Sequence, residues 1–296
     1  MNRRHLVLIS LSGLACFVAL ILRKGNKRTV RGEWPVNLAH RGASALAPEN
    51  TIEAFRLAVE AGAGGLELDV HMTSDGHIVV IHDATVDRTT SGAGAVSEMT
   101  LDELRMLDAG HNFSPDGGFT RPYRGRGIRV PTLGEVLEGF PGVAVNIEIK
   151  ARTPGIEETV LGVLREANAL GRALVVSTPH DVVKRFRKVS GGHASTGASR
   201  WEIGVFYISS RFRLERLVRP AYDALQVPLR YRGIPVVIPR FVRAAHARGV
   251  RVDAWTINRA DEMRRLLDLE VDVIMTDRPG TLAEILENRS PTFTPP

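Results

Sequence analysis

The sequence has 296 residues, 44% of them hydrophobic and 24% charged, and this balance excludes disorder for most of the chain. The net charge of +6 could serve an anionic partner, but no basic run interleaved with aromatic residues occurs in the body of the chain, so we expect no nucleic-acid partner. The single cysteine, Cys16, excludes intramolecular disulfides and cysteine-based zinc sites.

An uncharged apolar run, Leu6–Leu22, stands near the start of the sequence. It approaches the ~20 residues needed to cross a bilayer and exceeds the ~7–15-residue core of a cleavable signal. The run predicts a single-pass membrane anchor, with a secretion signal as the alternative. More basic residues follow it than precede it, which predicts a cytoplasmic location for the rest of the chain, a secreted or extracytoplasmic one being the alternative. These residues are Arg3 and Arg4 before the run and Arg23, Lys24, Lys27, Arg28 and Arg31 after it.

From Trp34 onward, short apolar runs alternate with segments of helical periodicity. This alternation is typical of repeated βα units, whose strands form a parallel sheet. Eight units in roughly 260 residues predict an α/β fold, a TIM (β/α)8 barrel. The predicted strands are Val36–His40, Leu66–Val70, Val143–Ile149, Ala173–Ser177, His193–Thr196, Asp223–Val227, Val250–Trp255 and Val273–Thr276, and the clearest helices are Thr51–Ala61, Ile156–Ala169, Pro239–Arg248 and Ala260–Leu267.

Two features interrupt the βα pattern after the second strand. The run Ile78–Ile81 follows a turn and predicts a further strand in a hairpin that carries His82. The next stretch is rich in Gly, Ser and Arg and is too long for a simple loop, so it predicts a small insertion at about 89–130, a cap over the barrel mouth. The expected organisation is an anchor and basic juxtamembrane segment at 1–30, the barrel at 31–289, and a flexible tail at 290–296.

Three carboxylates lie at the ends of two predicted strands. Glu67 and Asp69 are two residues apart and therefore point the same way from one strand, and Glu148 ends the next. Strand ends meet at the mouth of a parallel barrel, where unpaired carboxylates would repel one another. We therefore expect a divalent cation held by oxygen ligands at this point.

Two histidines and two cationic side chains belong to the same predicted rim. His40 follows the first strand, and His82 ends the hairpin beside the second. Imidazole can take and give protons near pH 7, so this pair suits acid–base chemistry. Arg41 and Lys150 suit binding of a phosphate.

The other aromatic and histidine candidates are weaker. Trp255 at a strand end could stack on a substrate or fill the core, and the sequence favours neither. The other histidines have no matching partners, so surface or core roles are expected for them. They are His71, His77, His111, His180, His193 and His246.

A series of motifs, in this order and spacing, resembles the glycerophosphodiester phosphodiesterase family. The resemblance covers nearly everything after Trp34. The motifs are His40-Arg41-Gly42, Pro48-Glu49-Asn50-Thr51, Glu67-Leu68-Asp69-Val70, Thr73-Ser74-Asp75-Gly76, His82-Asp83, Arg88-Thr89-Thr90, Ile128–Leu133, Glu148-Ile149-Lys150, Trp255-Thr256-Ile257-Asn258 and Thr276-Asp277-Arg278-Pro279.

The resemblance implies a TIM barrel that binds one Mg²⁺ or Ca²⁺ through Glu67, Asp69 and Glu148. It also implies that His40 and His82 are the catalytic base and acid, while Arg41 and Lys150 stabilise charge on the phosphoryl oxygens. The implied reaction converts a glycerophosphodiester to glycerol 3-phosphate and an alcohol. No departure from the family pattern occurs at these positions.

Other functions stay open at this point. Some relatives act as lysophospholipase D, so a membrane lysophospholipid giving lysophosphatidate is the alternative to a small soluble substrate. A sphingomyelinase-D-like transfer and a phosphate-binding scaffold without turnover are more distant alternatives. The sequence leaves the oligomeric state undetermined.

Overall fold

The computed structural model describes residues 34–289, and they form the predicted barrel. All eight predicted strands are confirmed, as is the hairpin strand that follows the second of them. The strands are β1 (Asn37–His40), β2 (Gly65–Met72), β3 (Ile78–Val80), β4 (Ala144–Ile149), β5 (Ala173–Val176), β6 (Ser195–Thr196), β7 (Ala224–Pro228), β8 (Arg230–Tyr231), β9 (Ile234–Pro235), β10 (Arg251–Trp255) and β11 (Val273–Thr276).

Eight of these strands make one parallel sheet that curls into a nearly closed barrel. Their order is β6-β5-β4-β2-β1-β11-β10-β7, and β3 pairs antiparallel with β2. A parallel bridge between Gly197 and Ala224 joins the two outer strands of this order. The amide of Asp223 also donates to the carbonyl of Thr196 at 2.8 Å. The carboxyl ends of the strands consequently surround one mouth, and their amino ends surround the bottom.

The helices pack around the outside of the sheet. Three of them begin with a capping box, in which an N-cap hydroxyl and a glutamate three residues later exchange hydrogen bonds with backbone amides; the pairs are Thr100–Glu103, Thr132–Glu135 and Ser199–Glu202. The helices are α1 (Ile52–Glu60), α2 (Leu101–Arg105), α3 (Leu133–Gly139), α4 (Ile156–Glu166), α5 (His180–Val189), α6 (Arg200–Arg211), α7 (Pro239–His246), α8 (Ala260–Asp268) and α9 (Pro279–Glu287).

Two large apolar clusters between helices and sheet form most of the core. One surrounds β2, β4 and β5 and includes the fully buried Phe55 and Phe186. The other surrounds β7, β10 and β11 and includes Phe206 and Phe241, whose rings meet edge to face at 5.8 Å. The helices thus pack against both halves of the sheet, and polar residues lie at the mouth.

Residues 89–130 pack beside β3 around a small core of their own. This core joins Val79 and Ile81 to Val96, Leu104 and Val130. The insertion includes α2, and its apolar residues hold the hairpin that precedes His82. Through this core, the insertion contacts the flank of the barrel at β3.

Among residues 34–289, no helix is long and apolar enough to cross a bilayer. The predicted anchor, Leu6–Leu22, lies outside the described residues, as does the tail at 290–296.

The bottom of the barrel is filled by Trp34. Its ring packs against inward-facing residues from both halves of the sheet, among them Leu38 and Leu174. The guanidinium of Arg251 lies 3.9 Å from the ring centroid and pairs with the buried carboxylate of Asp253 at 2.8 Å. Trp34 therefore covers a buried ion pair as well as apolar surface.

We expect Trp34→Ala to lower the free energy of unfolding by about 3 kcal/mol, since it removes this packing and exposes the Arg251–Asp253 pair to water. For a domain of this size, that loss lowers the Tm by roughly 6–12 °C. Thermal unfolding followed by circular dichroism measures it. Trp34→Phe is the control and should keep most of the stability; an Ala variant that melts like the wild type would refute the role of Trp34.

Candidate active site

The three predicted carboxylates meet at the barrel mouth. Asp69 pairs in register with Glu148 of the neighbouring strand, and Glu67 precedes Asp69 on the same face of β2. One oxygen from each of the three side chains lies within 4.8 Å of the others. Glu67 and Asp69 are buried, at 4% and 1% exposure. This is a donor set of hard oxygen atoms that fits a divalent cation.

The charges of this cluster are only partly balanced by the protein. Burial and then repulsion by Asp69 raise the pKa of Glu67 well above its ordinary value. Asp69 behaves in the opposite way: burial opposes ionisation, but Lys150 and Arg41 lower the pKa of its carboxyl group. Because the pKa of Glu67 is raised while that of Asp69 is lowered, a bound cation would favour ionisation of Glu67 the most.

Lys150 and Arg41 contact Asp69 from two sides. The Nζ atom of Lys150 is 3.1 Å from Asp69 Oδ1 and 2.7 Å from Glu148 Oε2. The Nε atom of Arg41 is 3.1 Å from Asp69 Oδ2, which also accepts a hydrogen bond from Asn50 at 3.0 Å. Burial works against the charge of Lys150, but the two carboxylates raise its pKa, so it stays a cation.

The loop after β1 requires glycine. Arg41 and Gly42 have positive φ angles of 56° and 84°. A Cβ atom on Gly42 would lie 2.6 Å from the carbonyl carbon of Ala54 in α1. Only glycine permits this approach. The turn brings the backbone amide of Arg41 to 3.0 Å from Glu67 Oε2, where it donates a hydrogen bond.

His40 is oriented by a carboxylate. Its Nδ1 atom lies 2.7 Å from Asp277 Oδ1, and Asn258 donates to Asp277 Oδ2 at 2.6 Å. Burial opposes protonation, but the hydrogen bond to Asp277 and the charge of Glu67 raise the pKa of His40. Because a carboxylate only accepts, Nδ1 carries the hydrogen and Nε2 is left for chemistry.

His82 has the same arrangement on the other side of the cluster. Its Nδ1 atom lies 2.6 Å from Asp83 Oδ1, and its charge helps to lower the pKa of Asp69. Arg88 donates to Asp83 at 2.5 Å and, with both Nη atoms, to Glu49 at 2.7 Å. Glu49 in turn accepts from Arg41 at 2.9 Å. A continuous chain of ion pairs thus connects the His82 side of the site to the Arg41 side.

The structure therefore brings together His40, His82, Arg41, Lys150 and the three carboxylates. Trp255 lies at the end of β10 with 42% exposure, so it does not fill the core, and it pairs in register with Pro228 on β7. It therefore stands at the mouth, at the carboxyl end of its strand.

Sequence reasoning assigned no role to several residues that orient the site. Asn50, Asp277 and Glu49 lie in the recognised motifs, but only their contacts reveal what they do. His71 was expected to have an ordinary role, yet it is buried and its Nε2 atom is 3.1 Å from the carbonyl oxygen of His82. Burial lowers the pKa of His71, which favours the neutral ring as the donor. His71 lies two residues after Asp69 on β2, so its side chain is on the same face of the strand, and this spacing could have indicated its place near the site.

The comparison with known families decides the identity. The model of the glycerophosphoryl diester phosphodiesterase family matches residues 40–281, which include every site residue named above. The glycerophosphodiester phosphodiesterase of Caldanaerobacter subterraneus is 40% identical over 257 residues, covering 84% of this chain and 96% of that protein. The chain belongs to this family. It is therefore an enzyme, a phosphoric diester hydrolase.

Solved structures agree with the family fold. A glycerophosphoryl diester phosphodiesterase domain from Mycobacterium tuberculosis superposes with a TM-score of 0.76 at 23% identity, covering 86% of this chain and 100% of that one. An Oleispira antarctica phosphodiesterase, solved in complex with the product sn-glycerol-3-phosphate, superposes with a TM-score of 0.67 at 26% identity, covering 86% and 98%. The family fold thus corresponds to the barrel described above.

We expect Mg²⁺ or Ca²⁺ at a hundred times its Kd to stabilise the protein by about 2.7 kcal/mol against unfolding, because the ion binds the native cluster only. Glu148→Gln should lose most of this gain, since it removes a charged ligand. Thermal unfolding with EDTA, and then with added metal, measures both effects. Glu53→Gln, on an outer helix, is the matched control; equal metal shifts in the Glu148 and Glu53 variants would exclude the cluster as the metal site.

Proposed function

We propose that this protein hydrolyses glycerophosphodiesters to glycerol 3-phosphate and an alcohol, in a reaction that requires one divalent cation, Mg²⁺ or Ca²⁺. The observation that carries the proposal is the pair of carboxylate-oriented histidines, His40 and His82, on either side of the acidic cluster. The Oleispira antarctica neighbour, with its bound glycerol 3-phosphate, supports this choice of product.

His40 and His82 act as the acid–base pair. One ring takes a proton at Nε2 from the attacking hydroxyl, that of water or of the glycerol itself. The other ring gives a proton to the oxygen of the leaving alcohol. Asp277 and Asp83 accept from Nδ1 of the two rings, so they hold each tautomer and stabilise each imidazolium that forms.

Arg41 and Lys150 bind the phosphate. Both are cations whose charge is favoured by neighbouring carboxylates, and arginine can donate to two phosphoryl oxygens at once. Glu67, Asp69 and Glu148 hold the divalent cation, which when bound stabilises negative charge on the phosphoryl oxygens. Trp255 packs against the rest of the substrate at the exposed edge of the mouth.

The location of the enzyme is part of the proposal. The run Leu6–Leu22 anchors the chain in a membrane, and the more basic flank after it places the barrel on the cytoplasmic face. The domain boundaries are those stated above, with the barrel at 31–289.

We expect His40→Ala and His82→Ala each to lower kcat/KM for glycerophosphocholine by about 10²–10⁴-fold, because each removes one proton-transfer group. The wild type should lose activity in EDTA and regain it with added metal. The assay identifies the products by mass spectrometry and pairs each rate with a Tm, so that misfolding is distinguished from lost chemistry.

The matched control is His246→Ala. His246 also contacts a carboxylate, Asp272 at 2.8 Å, but it ends α7 near the bottom of the barrel, so its variant should keep wild-type rates. A wild-type rate in the His40 or His82 variant would refute the acid–base assignment. Lysophosphatidate formed from lysophosphatidylcholine would indicate lysophospholipase D, ceramide phosphate a transfer reaction, and no product from any substrate a scaffold.

We expect Asp277→Asn to lower kcat by about 10- to 100-fold with little change in KM, because the amide no longer holds the His40 ring in its working tautomer. Steady-state kinetics with glycerophosphocholine separates the two constants. Ser44→Ala is the control, since its hydroxyl lies 2.9 Å from the same Asp277 oxygen but does not contact the ring. An unchanged kcat in the Asn variant would show that His40 needs no such partner.

A further inference from the structure

A basic and apolar surface lies at the bottom of the barrel, on the turn between α6 and β7. Three apolar side chains stand exposed there: Phe212 at 71%, Leu217 at 48% and Leu214 at 39%. Four exposed arginines alternate with them: Arg211, Arg213, Arg216 and Arg219. We call these seven residues the basal patch.

Three arginines of the basal patch, Arg211, Arg213 and Arg219, have no acidic partner among residues 34–289, whereas Arg216 lies near enough to Glu215 for its charge to favour that carboxylate. No ion pair joins any of the four to a carboxylate there. The one acidic residue of the turn, Glu215, is buried and accepts from Arg240 at 2.7 and 2.9 Å. Arginine charges that carboxylates of the turn leave largely unbalanced thus lie beside exposed apolar groups, and this combination suits a partner that is both negative and apolar.

The basal patch is a fixed surface. Arg213 adopts a left-handed conformation, with φ of 61°, directly after the helix ends. The Leu214 amide donates to the carbonyl of Ser209 at 2.8 Å, and the pairing of Glu215 with Arg240 ties the turn to α7. The apolar side chains are thus presented outward by a structured turn.

The chain enters the barrel at this same end. Trp34 precedes β1 and packs at the bottom against Ala224, the first residue of β7. Eleven residues separate it from the apolar run that ends at Leu22, and five of the eleven are basic. Such a segment reaches at most about 40 Å. Its basic composition favours an anionic surface near this end of the barrel.

We propose that the basal patch docks on the surface of an anionic phospholipid bilayer, with the barrel mouth directed away from the membrane. The arginines would contact lipid phosphates, and Phe212, Leu214 and Leu217 would enter the boundary between headgroups and acyl chains. The partner is thus a lipid surface, recognised by charge and apolar contact together.

A second rim of arginines and aromatic residues at the mouth fits less well. Tyr231 on the hairpin β8–β9 is 43% exposed, but its ring already stacks with Arg200 and Arg232 at 5.2 and 5.6 Å. Docking through this rim would also require the segment before Trp34 to run the full height of the barrel. Docking through the bottom does not require this, because Trp34 already lies at that end.

The test places a fluorophore at each end of the full-length chain. In a Cys16→Ser background, Leu217→Cys and Ile234→Cys provide labelling sites of similar exposure, 48% and 53%, at the bottom and at the mouth. The labelled proteins are reconstituted into phosphatidylcholine vesicles, with or without phosphatidylglycerol, that carry a nitroxide-lipid quencher. We expect quenching at 217 in anionic vesicles, much less in neutral ones, and none at 234.

Charge reversal supplies the matched control. Arg213→Glu, Arg216→Glu and Arg219→Glu together should weaken docking by about 100-fold, since each arginine near an anionic surface contributes roughly fivefold. Quenching at 217 should fall accordingly. Arg230→Glu with Arg232→Glu, at the mouth, should change nothing.

Four results would overturn the proposal. The first three are quenching at 234 equal to or greater than that at 217, no quenching at either site, and wild-type quenching in the charge-reversed variant. The fourth is a label at 217 that is shielded from solvent in detergent, where no bilayer is present.

Shielding that depends on protein concentration would mean that a second copy covers the patch. Shielding that does not depend on it would mean that residues 1–33 cover the patch. Hydrolysis of glycerophosphocholine by the same preparations is scored separately, so docking and catalysis can fail independently.

Discussion

The repulsion among three carboxylates at the barrel mouth is the constraint on which the site depends. Glu67, Asp69 and Glu148 place oxygen atoms within 4.8 Å of one another, and two of the three side chains are buried. Removing carboxylates from water and crowding them together is costly unless cations balance them. Arg41 and Lys150 balance Asp69, whereas Glu67 retains a raised pKa. The remaining imbalance is what a divalent cation would satisfy.

The histidines depend on this arrangement through their neighbours. Asp277 orients His40, and Asp83 orients His82. Arg88 and Glu49 continue the chain of charges to Arg41, so the Arg41 side and the His82 side of the site are positioned together. A change at Glu49 or Arg88 would therefore disturb both sides without touching a substrate.

The two ends of the barrel have different physical roles. Polar groups concentrate at the mouth, where the strands end and the loops after them begin. The bottom is sealed by Trp34 and carries the basal patch beside it. The polar layer between them, Gln226 bridging Asn146 and Asp253, fills the interior so that neither end opens into the other.

The barrel and its eight strands could be predicted from the sequence alone, and the sequence also supplied the candidate site residues. It could do so because strand periodicity and strand-end polarity are local properties, and because the motifs from His40 to Asp277 stand in the family order. Which of these groups contact one another became evident only in the folded chain. Asp277 lies 237 positions from His40, and Glu49 meets Arg88 across 39, and no local pattern predicts such pairings. The basal patch was equally hidden, since an arginine-rich turn is ordinary in sequence. The proposed role of the patch depends on which end of the barrel it occupies. The direction in which α6 runs along the sheet determines this end.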